Sequence, residues 1–516
     1  MTDHRAIAIG SGKISIDDVV SVVYRSAPVR LAPAAIARIG KGRRNLEALL
    51  ASGQAFYSIN TGFGALGGIK IPATRLKELQ VNLIRSHSAG TGEPFPIDIA
   101  KAALLVTLNS LAKGHSGCRM ILVETLAAMI NKGVIPVIPS QGSIGASGDL
   151  IPLAHASGVM IGEGEATYGG KRRPAKEAMR KAGIPLLELE PREGVALTNG
   201  THMMTALGAL AVHRAGRLNK LADIALAMSL ESILGLTASL DPDVHRLRPH
   251  PGQRATAMNV RKMIGGSRLL ASHRYSEKIQ DAYSLRCGPQ IHGAAKDALR
   301  YCRSVLDVEL NSVTDNPLVF DRKVVSAGNF HGQPLAISLD TLGIAATVLG
   351  NVSERRIDRL MNPNLSGLPA FLAPDPGLNS GYVMAHYLAA ALTLENRGLA
   401  APGSIDSVSV SANKEDYNSN GMWCARKAWR IIRNVEKIIG VEILCAAQAL
   451  DLMKGREPGK GSATARKIVR RKIPQLKADR VLKRDLDSVQ ELISSGRLVE
   501  GVESVVGRLY LYKRIL

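Results

Sequence analysis

A mainly α-helical fold built around a bundle of long helices is what the sequence predicts, on three observations. Aromatic residues are only 4% of the 516 residues, while Ala and Leu dominate, a balance that favours helix over strand. Met203–Leu236, Leu335–Leu360 and Gly421–Leu452 each carry helical patterning over 25 residues or more with no heptad regularity, which suits helices buried on most sides. Strand signals are few and short, and no repeat at solenoid periods is present.

In chain order, Ile14 to Leu50 reads as a loose helical start, with helix-spaced apolar residues between Leu31 and Leu50. A polar loop punctuated by glycines follows, Tyr57-Ser58-Ile59-Asn60-Thr61-Gly62-Phe63-Gly64; loops set on a helical scaffold commonly carry function. Leu76–His87 is helical. Pro94 and Pro96 break the chain before Ile97–Lys113, whose Leu104, Leu105, Leu108, Leu111 and Ala112 make one apolar face. Arg119–Asn131 is the next helix, and Val134–Pro139 leads into a second glycine-rich loop, Gly142 to Leu150. Gly162–Lys171 has hairpin character around Gly169-Gly170, and Glu193–Asn199 opens a third loop, Thr198-Asn199-Gly200-Thr201. The long helical stretches come next, with Met384–Asn396 between the last two. Lys454–Lys460, with Gly455, Pro458 and Gly459, reads as a linker. Three consecutive regions follow from this: 1–200 carrying the loops, 201–452 the long-helix bundle, and 453–516 a basic helical tail.

Composition narrows the class. Hydrophobic residues at 46% and charged residues at 21% fit an ordinary globular protein able to bury a large core. Met1–Asp17 lacks the apolar core of a signal peptide. The longest uncharged run, Gly194–Val212, contains Thr198, Asn199, Thr201 and His202, which a lipid-facing span disfavours. A soluble protein is expected. Five cysteines, scattered and odd in number, lack metal-ligand spacing and fit reduced thiols in the cytoplasm, with no metal site. The net charge of +22 gathers partly between Lys454 and Arg484. No nucleic-acid motif or aromatic interleaving accompanies it, so it reads as a solvated basic surface that draws in anionic molecules.

The chemistry centres on Gly142-Ser143-Ile144-Gly145-Ala146-Ser147-Gly148-Asp149-Leu150. Three glycines in seven residues let the backbone fold back on itself. If the loop is pinched, the Gly148 amide nitrogen can attack the Ala146 carbonyl carbon. Loss of water from that ring, then of the Ser147 hydroxyl as a second water, leaves a methylidene-imidazolone, a strong electrophile. The plainer alternative is a Gly/Ser turn with Asp149 as N-cap of a helix from Leu150 to Ala156.

Several loops together resemble a known family. Gly145-Ala146-Ser147-Gly148-Asp149-Leu150 with Pro152-Leu153-Ala154-His155 is similar to the signature of the aromatic amino-acid ammonia-lyases and aminomutases. So are Asn60-Thr61-Gly62-Phe63-Gly64, Leu197-Thr198-Asn199-Gly200-Thr201, Tyr283-Ser284-Leu285-Arg286 and Thr314-Asp315-Asn316-Pro317. Gly328-Asn329-Phe330-His331-Gly332, Ser353-Glu354-Arg355-Arg356 and Asn364-Leu365-Ser366-Gly367-Leu368-Pro369 extend the likeness over most of the chain. The resemblance implies the long-helix bundle of the histidine and phenylalanine ammonia-lyases, a homotetramer with each active site collected from three subunits. It implies an electrophile formed autocatalytically from Ala146, Ser147 and Gly148, with no external cofactor, and helix N-termini directed at it.

By the same resemblance, Tyr57 is the base that takes a β-proton. An ordinary phenol ionises only near pH 10 or so, so positive potential has to stand nearby. Arg286 is the fork for the substrate carboxylate. Asn199 is expected to hydrogen-bond the imidazolone oxygen, Gln280 and Tyr283 to line the site, and Phe330 to press the precursor loop into shape.

Ser86-His87 and Ser411-Ala412-Asn413-Lys414-Glu415-Asp416 are similar to the histidine enzymes. Glu415 faces an imidazole there; a carboxylate can accept from a ring N–H, whereas a phenyl group leaves it unpaired. Three departures stand beside this: Val383 for a usual Met, Lys414 for Gln, and His202 for Gln. The expected reaction is L-histidine to urocanate plus ammonia. The alternatives are a tyrosine ammonia-lyase, a 2,3-aminomutase, or an inactive basic scaffold, in which Ser147→Ala would change nothing.

Overall fold

The computed structural model describes residues 5–273, 278–453 and 455–512, so Lys454 of the expected linker lies outside the described residues. The described chain is helix-dominated, with only short strands between. It divides into two compact units. One comprises 1–213, 303–340 and 402–426; the other comprises 214–302, 341–401 and 427–516. This differs from three consecutive regions. The unit boundaries at 213/214, 302/303, 340/341 and 426/427 each fall inside a helix, which sequence patterning reads as continuous. The basic tail is likewise no separate region, because Lys460–Arg470 packs on Arg497–Val506 and on Pro251–Met263 within the second unit.

In the first unit, Ile14–Leu50 is not one helical stretch. Ser15 and Asp18 form a capping box that starts Ile16–Tyr24. A three-residue strand, Val29–Leu31, then pairs in parallel with Ile7–Ile9, and Pro33 opens the helix Pro33–Leu50. Ile97–Leu111 is buried almost all round rather than along one face. Two of its polar side chains donate to carbonyls: Thr107 to Ala103 O at 2.9 Å and Asn109 to Leu310 O at 2.9 Å. The hairpin is present, Glu165–Tyr168 against Lys171–Pro174.

Three helices set the frame of the site. Leu76–His87, Leu150–Gly158 and Glu193–Thr198 pack against one another. Gln80, fully buried on the first, accepts the Gly194 and Val195 N–H groups at 3.0 and 3.3 Å. It thereby caps the third with a side chain from the first.

The second unit is centred on buried charge. Lys296 donates to both oxygens of Asp223 at 2.8 and 2.7 Å, and His292 Nδ1 lies 2.9 Å from the same carboxylate. Arg356 forks onto Glu442 at 2.5 and 2.9 Å. Within the tail, Arg470 pairs with Asp451, Arg466 with Glu457 and Arg480 with Asp485, so part of the basic stretch is neutralised locally. Gln333–Met361 is long and apolar enough to cross a membrane, yet 72% of its apolar window is buried in the protein, the state of a core helix.

Candidate active site

Within the first unit, the glycine-rich loop is held in an unusual shape. Ser147 adopts φ +46°, a left-handed conformation that costs a side-chain-bearing residue about 1–2 kcal/mol. Gly148 follows at φ +83°, and a Cβ there would stand 2.1 Å from Gly200 O. The two loops are tied: Asp149 N donates to Gly200 O at 2.8 Å, and Gly200 N to Ser147 O at 3.0 Å. From the far side, Asn420 N donates to Ile144 O at 2.9 Å, and a Cβ on Gly145 would meet the Ser419 hydroxyl at 2.2 Å. A serine forced left-handed, followed by a glycine whose nitrogen has no side chain beside it, fits the precursor of a cyclised Ala146-Ser147-Gly148.

Ser147 lines a cavity of about 880 Å³ together with Tyr57, His87, Asn199, Phe330, Lys414 and Glu415. Residues from six sequence-distant places meet there. The Tyr57 oxygen accepts Gly64 N at 2.9 Å, which fixes the ring. Gly64 leaves no room for a side chain, since its Cβ would stand 2.5 Å from the Ser411 hydroxyl. That hydroxyl belongs to a run of three left-handed residues, Ser411, Ala412 and Asn413, that turns the chain to present Glu415. Leu150 lines the cavity and begins a helix, and Asn199 and Phe330 each precede the first residue of another by three positions. Partially positive helix ends therefore gather at this wall.

His87 Nδ1 lies 2.9 Å from Leu83 O. A carbonyl only accepts, so Nδ1 carries the proton and Nε2 is left as an acceptor. Burial lowers the His87 pKa, with the Leu83 bond opposing, so the ring is neutral at neutral pH. Burial raises the Glu415 pKa above the ordinary carboxylate range. Lys414 is exposed at the cavity wall and has no ion pair with Glu415 among the described residues.

The plainer reading of Asp149 is corrected. Asp149 makes no side-chain cap on its own helix; its Oδ2 accepts Met204 N at 2.8 Å and caps the first turn of His202–Ser232 instead. Loop closure onto Gly200 turns the carboxylate toward the neighbouring helix. The two hydrogens of the Asn199 amide lie on Asp315 Oδ1 and Asn316 O, at 3.2 and 2.9 Å. What remains is its Oδ1, an acceptor. Asp315 is itself set by the fully buried Arg192, which donates to it at 2.7 Å.

Gln280, Tyr283, Arg286 and Val383 do not line this cavity and belong to the second unit. Tyr283 is 69% exposed, and the Arg286 guanidinium stacks 4.8 Å from its ring. Sequence reasoning missed Gln80. Its signal was a polar residue within the apolar spacing Leu76, Gln80, Leu83, Ile84.

The aromatic amino acid lyase family model matches residues 14–471. A histidine ammonia-lyase of Gloeobacter violaceus is 48% identical over 96% of this chain and 97% of its own. The crystal structure of histidine ammonia-lyase from Trypanosoma cruzi superposes with a TM-score of 0.90 at 42% identity, over 97% of this chain and 95% of the other. Tyrosine aminomutase from Streptomyces globisporus superposes at 0.93 with 38% identity, over 98% and 100%. On the loop geometry, the shared cavity and these matches, the chain belongs to the aromatic amino acid lyase family.

Proposed function

We propose that the protein is an ammonia-lyase converting L-histidine to urocanate and ammonia. One observation carries the substrate: a half-buried carboxylate, Glu415, shares a cavity with Ser147, Tyr57 and Asn199. The similarity to histidine ammonia-lyases over nearly the whole chain supports it. A methylidene-imidazolone formed from Ala146, Ser147 and Gly148 would supply the electrophile that makes the amine a leaving group.

The chain's own groups do the rest. Glu415 accepts the N–H of the substrate imidazole and so orients the ring, with His87 lining the same cavity. The Tyr57 oxygen, held by Gly64 N–H, takes the β-proton. Asn199 Oδ1 accepts from the substrate ammonium and Phe330 packs at the loop. Arg286 forks onto the carboxylate, with Tyr283, Gln280 and Val383 beside it. In this reading the protein is a cytoplasmic homotetramer, and the exposed Tyr283–Arg286 turn reaches the cavity of another copy.

The test is ammonia release and ultraviolet absorbance with L-histidine, L-tyrosine and L-phenylalanine, beside Ser147→Ala and Glu415→Gln. Histidine alone should turn over, and Ser147→Ala should lose nearly all activity with the fold intact. Glu415→Gln should lower kcat/KM on histidine about 100-fold, from one charge-assisted bond of roughly 3 kcal/mol, and flatten the acid limb of the pH profile. Turnover of tyrosine, or a β-amino acid as product, overturns the histidine reading and makes Lys414 the residue to explain.

A further inference from the structure

The Tyr283–Arg286 turn is four residues long, too short to hold its own shape. Its shape comes from what it touches. Asp281 Oδ2 accepts Leu236 N at 2.6 Å, and the Asp281 carbonyl accepts Arg286 Nε at 3.2 Å. On the other side, the Ser284 carbonyl accepts Nη1 of Arg356 at 3.2 Å.

Arg356 is 1% exposed, and its orientation is fixed by its partners. Nε and Nη2 donate to the two oxygens of Glu442. Those oxygens also accept Ser229 Oγ at 2.8 Å and Ser353 Oγ at 2.6 Å. His292 Nε2 lies 3.3 Å from Nη1, and its other nitrogen is committed to Asp223. With two arms of the guanidinium spent on one carboxylate, the direction of the third is fixed, and its Nη1 reaches the Ser284 carbonyl beside His292 Nε2.

We propose that Arg356, locked by Glu442, is a positioning residue for Arg286: it sets the Ser284 carbonyl and so the angle at which the Arg286 fork meets the substrate carboxylate. This rests on the reading of Arg286 as carboxylate clamp. A purely structural ion pair predicts something else, lost stability with unchanged substrate affinity.

Arg356→Lys keeps the charge opposite Glu442 but cannot reach Ser284 as well. Its KM and kcat for L-histidine and the inhibition constant of histamine, which lacks the carboxylate, are compared with Glu436→Gln. That control cuts a different ion pair of the same unit, Arg214 on the buried Glu436 at 3.1 and 2.8 Å. Tm should fall in both. Only Arg356→Lys should raise KM, about tenfold for one bond to a charged group, with histamine inhibition unchanged and no further rise in an Arg286→Lys background. Should Arg356→Lys fail to fold, Ser284→Gly loosens the same turn without touching the ion pair and should raise KM in the same way. An equal KM rise in Glu436→Gln, a parallel loss of histamine binding, or additivity with Arg286→Lys overturns the proposal. No histidine turnover by the wild type sinks the substrate reading alone; the series is then read with the aromatic amino acid that does turn over.

Discussion

Asp149 and Asp223 are both fully buried, and the chain treats them in opposite ways. Burial alone would raise the Asp223 pKa, but Lys296 and His292 more than offset it and hold the group below the ordinary carboxylate range. Asn259 adds a donor to Oδ2 at 2.7 Å. Burial pushes Asp149 up to about 7, because the amides of Met204 and Met203 offset only part of the cost. Its Oδ1 has no hydrogen-bond partner among the described residues. His202, next in chain to the Asn199-Gly200-Thr201 loop, is also fully buried with neither ring nitrogen bonded among the described residues, and burial pushes it down to about 4. The saturated carboxylate anchors helices of the second unit; the under-satisfied groups lie beside the loop that carries Ser147. Two buried carboxyls of one chain thus end in different protonation states because one has a buried cation beside it and the other has only backbone amides.

That contrast can be broken by substitution. Asp223→Asn leaves Lys296 buried without a counter-charge, and a loss of about 3–5 kcal/mol is expected from urea unfolding; a loss under about 1 kcal/mol would mean the network is not a stabilising unit. Asp149→Asn has a smaller effect with a distinctive pH signature. The folded wild type keeps a proton that the unfolded chain releases between roughly pH 4 and 7, so its stability declines as pH rises through that window. Asn keeps an acceptor for Met204 and removes the linkage, so the decline should vanish; parallel profiles would refute the buried-proton account. The smallest effect belongs to His202→Gln. The folded imidazole titrates at about 4 against an ordinary 6.5, so its contribution is lost as pH falls through that range. A Tm gain of a degree or two is expected at pH 5 and none at pH 8. Equal shifts at both pH values would point to packing instead.

Much of this is legible in the sequence. Leu76–His87 and Gly421–Leu452 end where their apolar spacing ends, and the loops of Tyr57, Ser147, Asn199 and Glu415 do line one cavity. What escaped has identifiable causes. Gly288–Glu309 went unread because Gly288, Pro289 and Gly293 mask a helical stripe that only packing completes. Val29–Leu31 is a strand of three residues paired to a segment more than twenty positions away, beyond any local periodicity. The Met203–Leu236 pattern stops at Ser232, where Leu234 turns left-handed. Asp149 precedes its helix as the pattern indicates, yet its carboxylate serves the neighbouring helix, since a side chain's hydrogen bonds depend on neighbours the sequence does not order in space.

The braces on the Ser147 loop also separate the order of synthesis from the order of assembly. Gly145 is wedged by Ser419, Ile144 is bonded by Asn420, and Gly148 lies on Gly200. A ribosome makes residues 142–149 early, yet one brace arrives some fifty residues later and another some 270 residues later. The loop's shape is therefore a late property of an early segment. A nascent chain stopped before Ser419 carries every atom of the tripeptide and lacks the brace that presses on it.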